Sequence, residues 1–329
     1  MTSTTPTTST TTVPARTTRA GARWLSPVLL ANLVAEVGIV VTGGLVRVTG
    51  SGLGCPTWPE CVDGSITPTV DQAEGFHKYV EFGNRTLTGV VGILAVAAIA
   101  AVWLWAPRRA MKVASVAVLV GVVLQAVLGG FTVLLGLHPT TVAMHFLVSM
   151  LLVTAAAYLW FARHETGAPP RALVPPLVTR LGRVTCAVGA LVLALGTVVT
   201  GSGPHSGDAD EPARFDLDAR TVSWLHADVV MLFLGLVVAT WLLARLTSSD
   251  GVAGPGRAWL VVLAVSLAQG VVGYVQYFTG LPEALVTVHM LGASLLVVAL
   301  TNGVLALRSR DEPRADDAVV ASTDTVRAA

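Results

Sequence analysis

Three histidines in the sequence stand where an imidazole is costly to place. His145, His226 and His289 each fall a few residues inside an apolar stretch long enough to form a helix, about 8 Å from its start at about 1.5 Å per residue. An ionisable group at such a position faces the interior of a bundle and pairs with something there. Any one of the three is equally well read as a polar residue bonding across helices. His226 and His289 together read differently, because they share one depth on two helices of the same half of the chain. That arrangement lets two imidazoles clamp a haem iron inside a four-helix bundle. Chelation of a bare metal ion has less support, since no thiolate or carboxylate is expected at that depth in that half.

The same level of the first half is more polar. Glu81, Asn84 and Arg85 lie within about one turn on helix 2, with His77 at the helix mouth and His145 on helix 4. Glu81 and Arg85, at i and i+4, suit an ordinary surface ion pair, which leaves His145 without an explanation. A carboxylate and an imidazole converging on one pocket suit acid/base or redox chemistry. Arg47 and Arg85 each suit a propionate through a charge-assisted pair. Glu36, mid-helix 1, is expected to be a packed, protonated structural carboxylate, and His138, His164 and His205 are read as solvated. Cys55 and Cys61 stand six positions apart in Gly54-Cys55-Pro56-Thr57-Trp58-Pro59-Glu60-Cys61. In an oxidising compartment that pair predicts a disulfide, either a staple or a redox-active pair. Cys186 reads as a small core residue.

The elements that must position these residues are membrane spans. Of 329 residues, 53% are hydrophobic and 12% charged, with a mean hydropathy of +0.70; that is too little charge to cover a soluble surface. Eight Trp suit interfacial belts. Stretches long enough to cross about 30 Å of hydrocarbon occur at 25–46, 80–105, 112–136, 140–162, 181–201, 222–244, 258–279 and 284–306. The expected surroundings are a lipid bilayer, with no nucleic acid. With both termini in the cytoplasm, 16 of the 21 Lys/Arg fall on the inner side and five on the outer, which is the positive-inside asymmetry. Nineteen of the 21 are Arg, a usage read as that of a GC-rich bacterial genome, so the expected location is a bacterial plasma membrane.

The chain also repeats. Val48-Thr49-Gly50-Ser51-Gly52 recurs as Val199-Thr200-Gly201-Ser202-Gly203 at an offset of 151, and Gln125, Gly129, His145, Leu152 and Val153 match Gln269, Gly273, His289, Leu296 and Val297 at 144. Each half holds an even number of spans, so the repeat is parallel, about an axis along the membrane normal. The fold class is therefore all-α integral membrane, with eight transmembrane helices as two pseudo-symmetric four-helix bundles. The domains read as a disordered tail 1–24, a first half 25–162, a cytoplasmic linker 163–180, a second half 181–307 and a disordered tail 308–329.

Gly43 through Leu53, Cys55-Pro56-Thr57-Trp58-Pro59 and Glu81-Phe82-Gly83-Asn84-Arg85 resemble the signature stretches of the haem A synthase family, and the three outer histidines fit it. The resemblance covers nearly the whole eight-helix core. It implies oxidation of the C8 methyl of haem O to a formyl group, giving haem A for a terminal oxidase. The second half would hold haem b between His226 and His289, and the first half the substrate haem. Glu81 matches the family's assisting carboxylate, His145 an iron ligand, and Cys55–Cys61 a pair found in many bacterial members. The family motif Glu-x-x-His-Arg carries Asn84 in place of its histidine. Either His145 alone ligates the substrate haem or His77 reaches in. A haem O synthase that hands over substrate in the membrane, and a homo-oligomeric state, are the partners the family makes plausible. Two other functions compete. A dihaem electron-transfer cytochrome would want bis-His ligation in both halves, which Asn84 breaks. A transporter would want broken helices at the midplane.

Overall fold

The computed structural model describes residues 18–205, 207–208, 213–248 and 254–310. Eight helices run α1 Thr18–Val48, α2 His77–Trp105, α3 Arg109–Leu134, α4 Pro139–Phe161, α5 Pro176–Ser202, α6 Ala219–Thr247, α7 Gly254–Phe278 and α8 Glu283–Leu305. Each contains a window long and apolar enough to cross a membrane, and the chain is a multi-pass membrane protein. α1 begins inside the segment read as a tail. α5 begins earlier than its apolar stretch, because Pro176 sits at the first helical position, where its missing N–H breaks no bond.

The hairpins α3–α4 and α7–α8 turn in the same way. Gly136-Leu137 and Gly280-Leu281 are both left-handed, with φ of 60° and 56° in the first turn and 81° and 59° in the second. A leucine rarely adopts that backbone. Here the Leu137 N–H reaches back to the Thr132 carbonyl at 2.9 Å and the Leu281 N–H to the Gln276 carbonyl at 2.7 Å, closing the helix ends. Each turn launches an even-numbered helix whose histidine follows eight residues later. α6 starts on Asp218, whose carboxylate accepts from the Thr221 backbone at 2.7 Å and hydroxyl at 2.6 Å. Those bonds hold its carboxyl below the usual range.

Within each half the helices close a ring: α1 packs on α2 and α4, α3 on the same two, and α5 to α8 repeat the pattern. The even-numbered helices of a ring therefore face one another diagonally. The halves join through α1 and α4 against α8, and α4 against α5. One core fills the second ring around Phe233, Val237, Trp259 and Leu300. A second lies in the first ring around Leu29, Met111, Val118 and Leu159. A third, of Leu33, Val40, Met150, Val153 and Val297, lies between them. Close approach depends on small residues. Ala95, Ala98 and Ala101 are buried along α2, and a Cβ on Gly44 of α1 would collide with Met290 of α8.

One expectation is corrected. Residues 308–310 are ordered: β2, Arg308–Ser309, pairs antiparallel with β1, Arg171–Ala172, in the linker. Glu165 in that linker forms ion pairs with Arg108, Arg308 and Arg310, because a carboxylate can satisfy several guanidinium groups at once. The segment 163–180 is thus a clamp between the halves. The remainder of both predicted tails lies outside the described residues. The two Val-Thr-Gly-Ser-Gly copies also differ in conformation. α1 ends at Val48 and Gly50 turns at φ 65°, whereas α5 stays helical through Ser202.

Candidate functional site

The three histidines and Asn84 occupy one kind of seat. Asn84 is the eighth residue of α2, His145 the seventh of α4, His226 the eighth of α6 and His289 the seventh of α8, so all four lie about 10 Å inside their helices. Each is met by a glycine of the preceding helix. A Cβ on Gly129, Gly196 or Gly273 would stand 3.4 Å from Cε1 of His145, His226 or His289 respectively. A Cβ on Gly43 would stand 3.8 Å from Nδ2 of Asn84. The glycines leave room for a side chain to lie flat against the neighbouring backbone. Gln125 Nε2 donates to the His145 carbonyl at 2.8 Å, and Gln269 Nε2 to the His289 carbonyl at 2.9 Å, so α3 and α7 also fix the backbone beneath their histidines.

These imidazoles are half-buried, and their buried Nδ1 atoms make no hydrogen bond within the protein. The Val192 carbonyl approaches His226 without completing hydrogen-bond geometry. His226 and His289 are close enough to act on one another electrostatically. Buried imidazoles of this kind, cradled by glycine and without a protein partner, fit the axial ligation of a haem. Asp228 corrects one sequence reading: it is a carboxylate close in depth to His226. It is exposed, and two residues along a helix place it on nearly the opposite face. No group of three or more His, Cys, Asp or Glu able to hold a bare metal ion occurs among the described residues.

Beside the Asn84 seat the α1–α2 loop is wired to α2. Cys55 and Cys61 form a disulfide, and both are fully buried. The Cys55 N–H donates to Glu81 Oε2 at 2.7 Å, and Arg85 reaches Glu81 Oε1 through Nε at 3.0 Å and Nη2 at 2.6 Å. Arg85 further donates to the carbonyls of Cys55, Thr57 and Glu60. All five of its N–H donors are thereby engaged, which leaves none for the propionate expected of it. Trp58 of the same loop lies over Gly130 of α3, where any Cβ would collide with the indole.

His77 is turned to the loop. Its Nδ1 bonds Ser51 Oγ at 2.7 Å, and Ser51 bonds Thr49 Oγ1 at 2.8 Å. Arg47 donates to the carbonyls of His205 at 2.7 Å and Thr200 at 3.2 Å, and His205 Nε2 bonds the Leu281 carbonyl at 2.9 Å. His205, read as solvated, instead ties the second loop to the α7–α8 turn. With the Gly52 N–H donating to the Gly207 carbonyl at 2.8 Å, these bonds zip the two outer loops together. They border a cavity of about 300 Å³ lined by Arg47, His205, Arg214 and Glu283.

The seat glycines, Thr42 and the two glutamine clamps were the residues missed by sequence reasoning, although Gln125 and Gly129 appeared there as repeat matches. Asn32 was missed entirely: it and Glu36 share a buried face of α1, with both polar atoms of Asn32 and Oε1 of Glu36 unpartnered.

The fold and site thus define a multi-pass membrane protein in which one end of the helix bundle holds recurrent histidine seats whose residues fit haem ligation. The chain matches the model of the COX15-CtaA family, described as cytochrome oxidase assembly protein, over residues 26–204. It is 30% identical over 284 residues to a protein of Symbiobacterium thermophilum named Heme A synthase, covering 78% of this chain and 89% of that one. It is also 31% identical over 143 residues to one of that name from Alkalihalophilus pseudofirmus, and 34% over 122 residues to one from Bacillus licheniformis. The latter two matches span 46% and 38% of those relatives' length. The chain belongs to the COX15-CtaA family.

Proposed function

We propose that this protein is a haem A synthase, a membrane oxidoreductase that converts the C8 methyl of haem O to a formyl group, making haem A for a terminal oxidase. The observation that carries the reading is the seat repeated on all four even-numbered helices, three times filled by histidine and once by Asn84 beside a buried carboxylate. The names of the relatives agree with it.

In this reading the second half holds haem b between His226 and His289, and the first half binds haem O on His145. The bound haems supply the redox chemistry. Glu81 is buried one turn before Asn84, with Oε2 bonded to a neutral backbone N–H. It is the group placed to take protons released as the methyl is oxidised. Among the described residues Arg47 Nη1 makes no hydrogen bond, and it is the guanidinium we assign to a propionate. The site opens toward the outer face of a bacterial plasma membrane, with both termini in the cytoplasm. Haem O arrives by lateral transfer from a synthase in the same membrane.

The test is to express the full chain in a host that makes haem O, purify it in detergent and chromatograph the extracted haems. Haem B together with haem O and newly formed haem A is the expected result. Haem B alone, with haem O available, would replace this reading with an electron-transfer cytochrome. Folded protein without haem would end both.

A further inference from the structure

We infer that the first-half site holds its haem through one protein ligand, His145, and leaves the opposite iron face open to a small diatomic ligand beside the Asn84 amide. The inference rests on the haem reading above and adds to it a second binding site, of a different chemical class.

Asn84 does not merely replace a histidine in the sequence; it fills the fourth seat. Its glycine, Gly43, stands to it as Gly129, Gly196 and Gly273 stand to the three imidazoles. The side chain is held there from α1, where the Thr42 hydroxyl donates to Asn84 Oδ1 at 2.7 Å, its single proton shared with the more distant Ile39 carbonyl at 3.2 Å. With its oxygen engaged, the amide presents Nδ2, a donor without a lone pair for iron. Neutral amides are absent from the usual axial ligands of haem, which are histidine, cysteinate, methionine and tyrosinate.

Among the described residues of α2 and its loop, the neighbouring candidates are otherwise placed. His77 lies seven residues earlier on α2, about 10 Å nearer the helix start, and its Nδ1 is bonded to Ser51. The Glu81 carboxylate is held by the Cys55 N–H and by Arg85. Cys55 and Cys61 are joined in the disulfide, and Tyr79 is exposed. The second half has no such gap, since both of its diagonal seats carry imidazole. A haem held in the first half would thus have His145 as its one protein ligand, and the Asn84 amide, with its Nδ2 unengaged by the bond to Thr42, would be the hydrogen-bond donor for a diatomic molecule on the other face.

The experiment uses the full-length protein saturated with haem B, and carbon monoxide as the probe. One haem per chain is expected to be high-spin in the ferric state and to bind CO when reduced, while the other is low-spin and inert. Asn84→His should convert the first to low-spin and abolish CO binding. Asn84→Leu should keep CO binding but shift the C–O stretching frequency upward through loss of the donor. His226→Ala should remove the low-spin haem and spare CO binding with the wild-type stretch. Wild-type protein that holds only low-spin, CO-inert haem overturns the inference while leaving the haem reading intact. So does a C–O stretch unmoved by Asn84→Leu, for the role of the amide. Protein that takes up no haem removes both.

Discussion

The seat-bearing ends of the two helix rings have the same frame and different chemistry. In the second ring the diagonal seats carry His226 and His289, each over a glycine, and the residue three before His226 is Ser223, whose hydroxyl donates to the Ala219 carbonyl of its own helix. In the first ring the matching positions are Asn84 and Glu81. The loop that meets Glu81 lies over Gly130, whereas the residue 144 further on is Tyr274, exposed on α7. Loop, carboxylate and the asparagine-filled seat thus occur together, on one side of the molecule. The lesson is that a duplicated scaffold needs few changes to give its two halves different chemistry. On the function proposed above, two imidazoles would retain a haem in one half, and one imidazole with a carboxylate nearby would leave the other half free to react.

The largest effect that would sharpen this contrast is on turnover. Glu81→Gln is expected to lower haem A formation by about 10²–10⁴-fold, the usual range for a general acid–base group, with the haem content of both halves unchanged. Ser223→Ala, its counterpart, should leave turnover as it is. Equal losses from the two variants would erase the division of labour.

Next comes cofactor retention. His289→Ala should weaken haem b binding by ~100-fold or more, since loss of even a supporting partner costs a metal site about 10–100-fold. The haem-to-protein ratio and the low-spin signal measure it, and the haem on His145 should be untouched. Filling a seat tests the same frame from the other side. Gly273→Val should displace His289 and lower haem b affinity by roughly 10-fold or more, whereas Gly129→Val should affect only the first-half haem. If either valine disturbed both haems alike, the rings would not be independent.

The smallest effect compares the glutamine clamps. Gln125→Leu and Gln269→Leu should each cost about 0.6–1.7 kcal/mol, the scale of a hydrogen bond between membrane helices, read as faster haem loss from its own half. Gln125 also donates to Ser149, so its loss should be the larger of the two.

Much of this was legible in the residues. Eight apolar stretches and the depth of the histidines near the starts of the even-numbered helices follow from hydropathy and helix rise, because a helix in lipid must satisfy its own backbone and be long enough to cross. The Cys55–Cys61 pair was legible because six residues with two prolines leave it few other partners. Of the seat glycines, Gly129 and Gly273 showed only as repeat matches, and Gly43 and Gly196 did not show as a pair at all. With 32 glycines in the chain, nothing in composition marks Gly43 or Gly196, and the pentapeptide repeat pairs Gly196 with Leu45 rather than Gly43. The copies lie out of register with the seats because α5 continues through its copy while α1 stops. Arg85 was legible as a partner of Glu81, but the three loop carbonyls that engage its remaining donors come from residues 25–30 positions away. Local patterns carry no record of such pairings.

By itself, then, the sequence determined the spans, their even number per half, the depth of the histidines and the departure at Asn84. Each of these depends on residue type and on distance along a single helix, which a regular backbone fixes. Only the tertiary structure decided which glycine lies under which imidazole, that Asn84 fills the fourth seat and His77 does not, that Arg85 is occupied by the loop, and that Arg47 and His205 bind the two outer loops together. Those outcomes depend on which helices become neighbours and at what height. Packing of small residues across the ring sets that height, and no single segment encodes it.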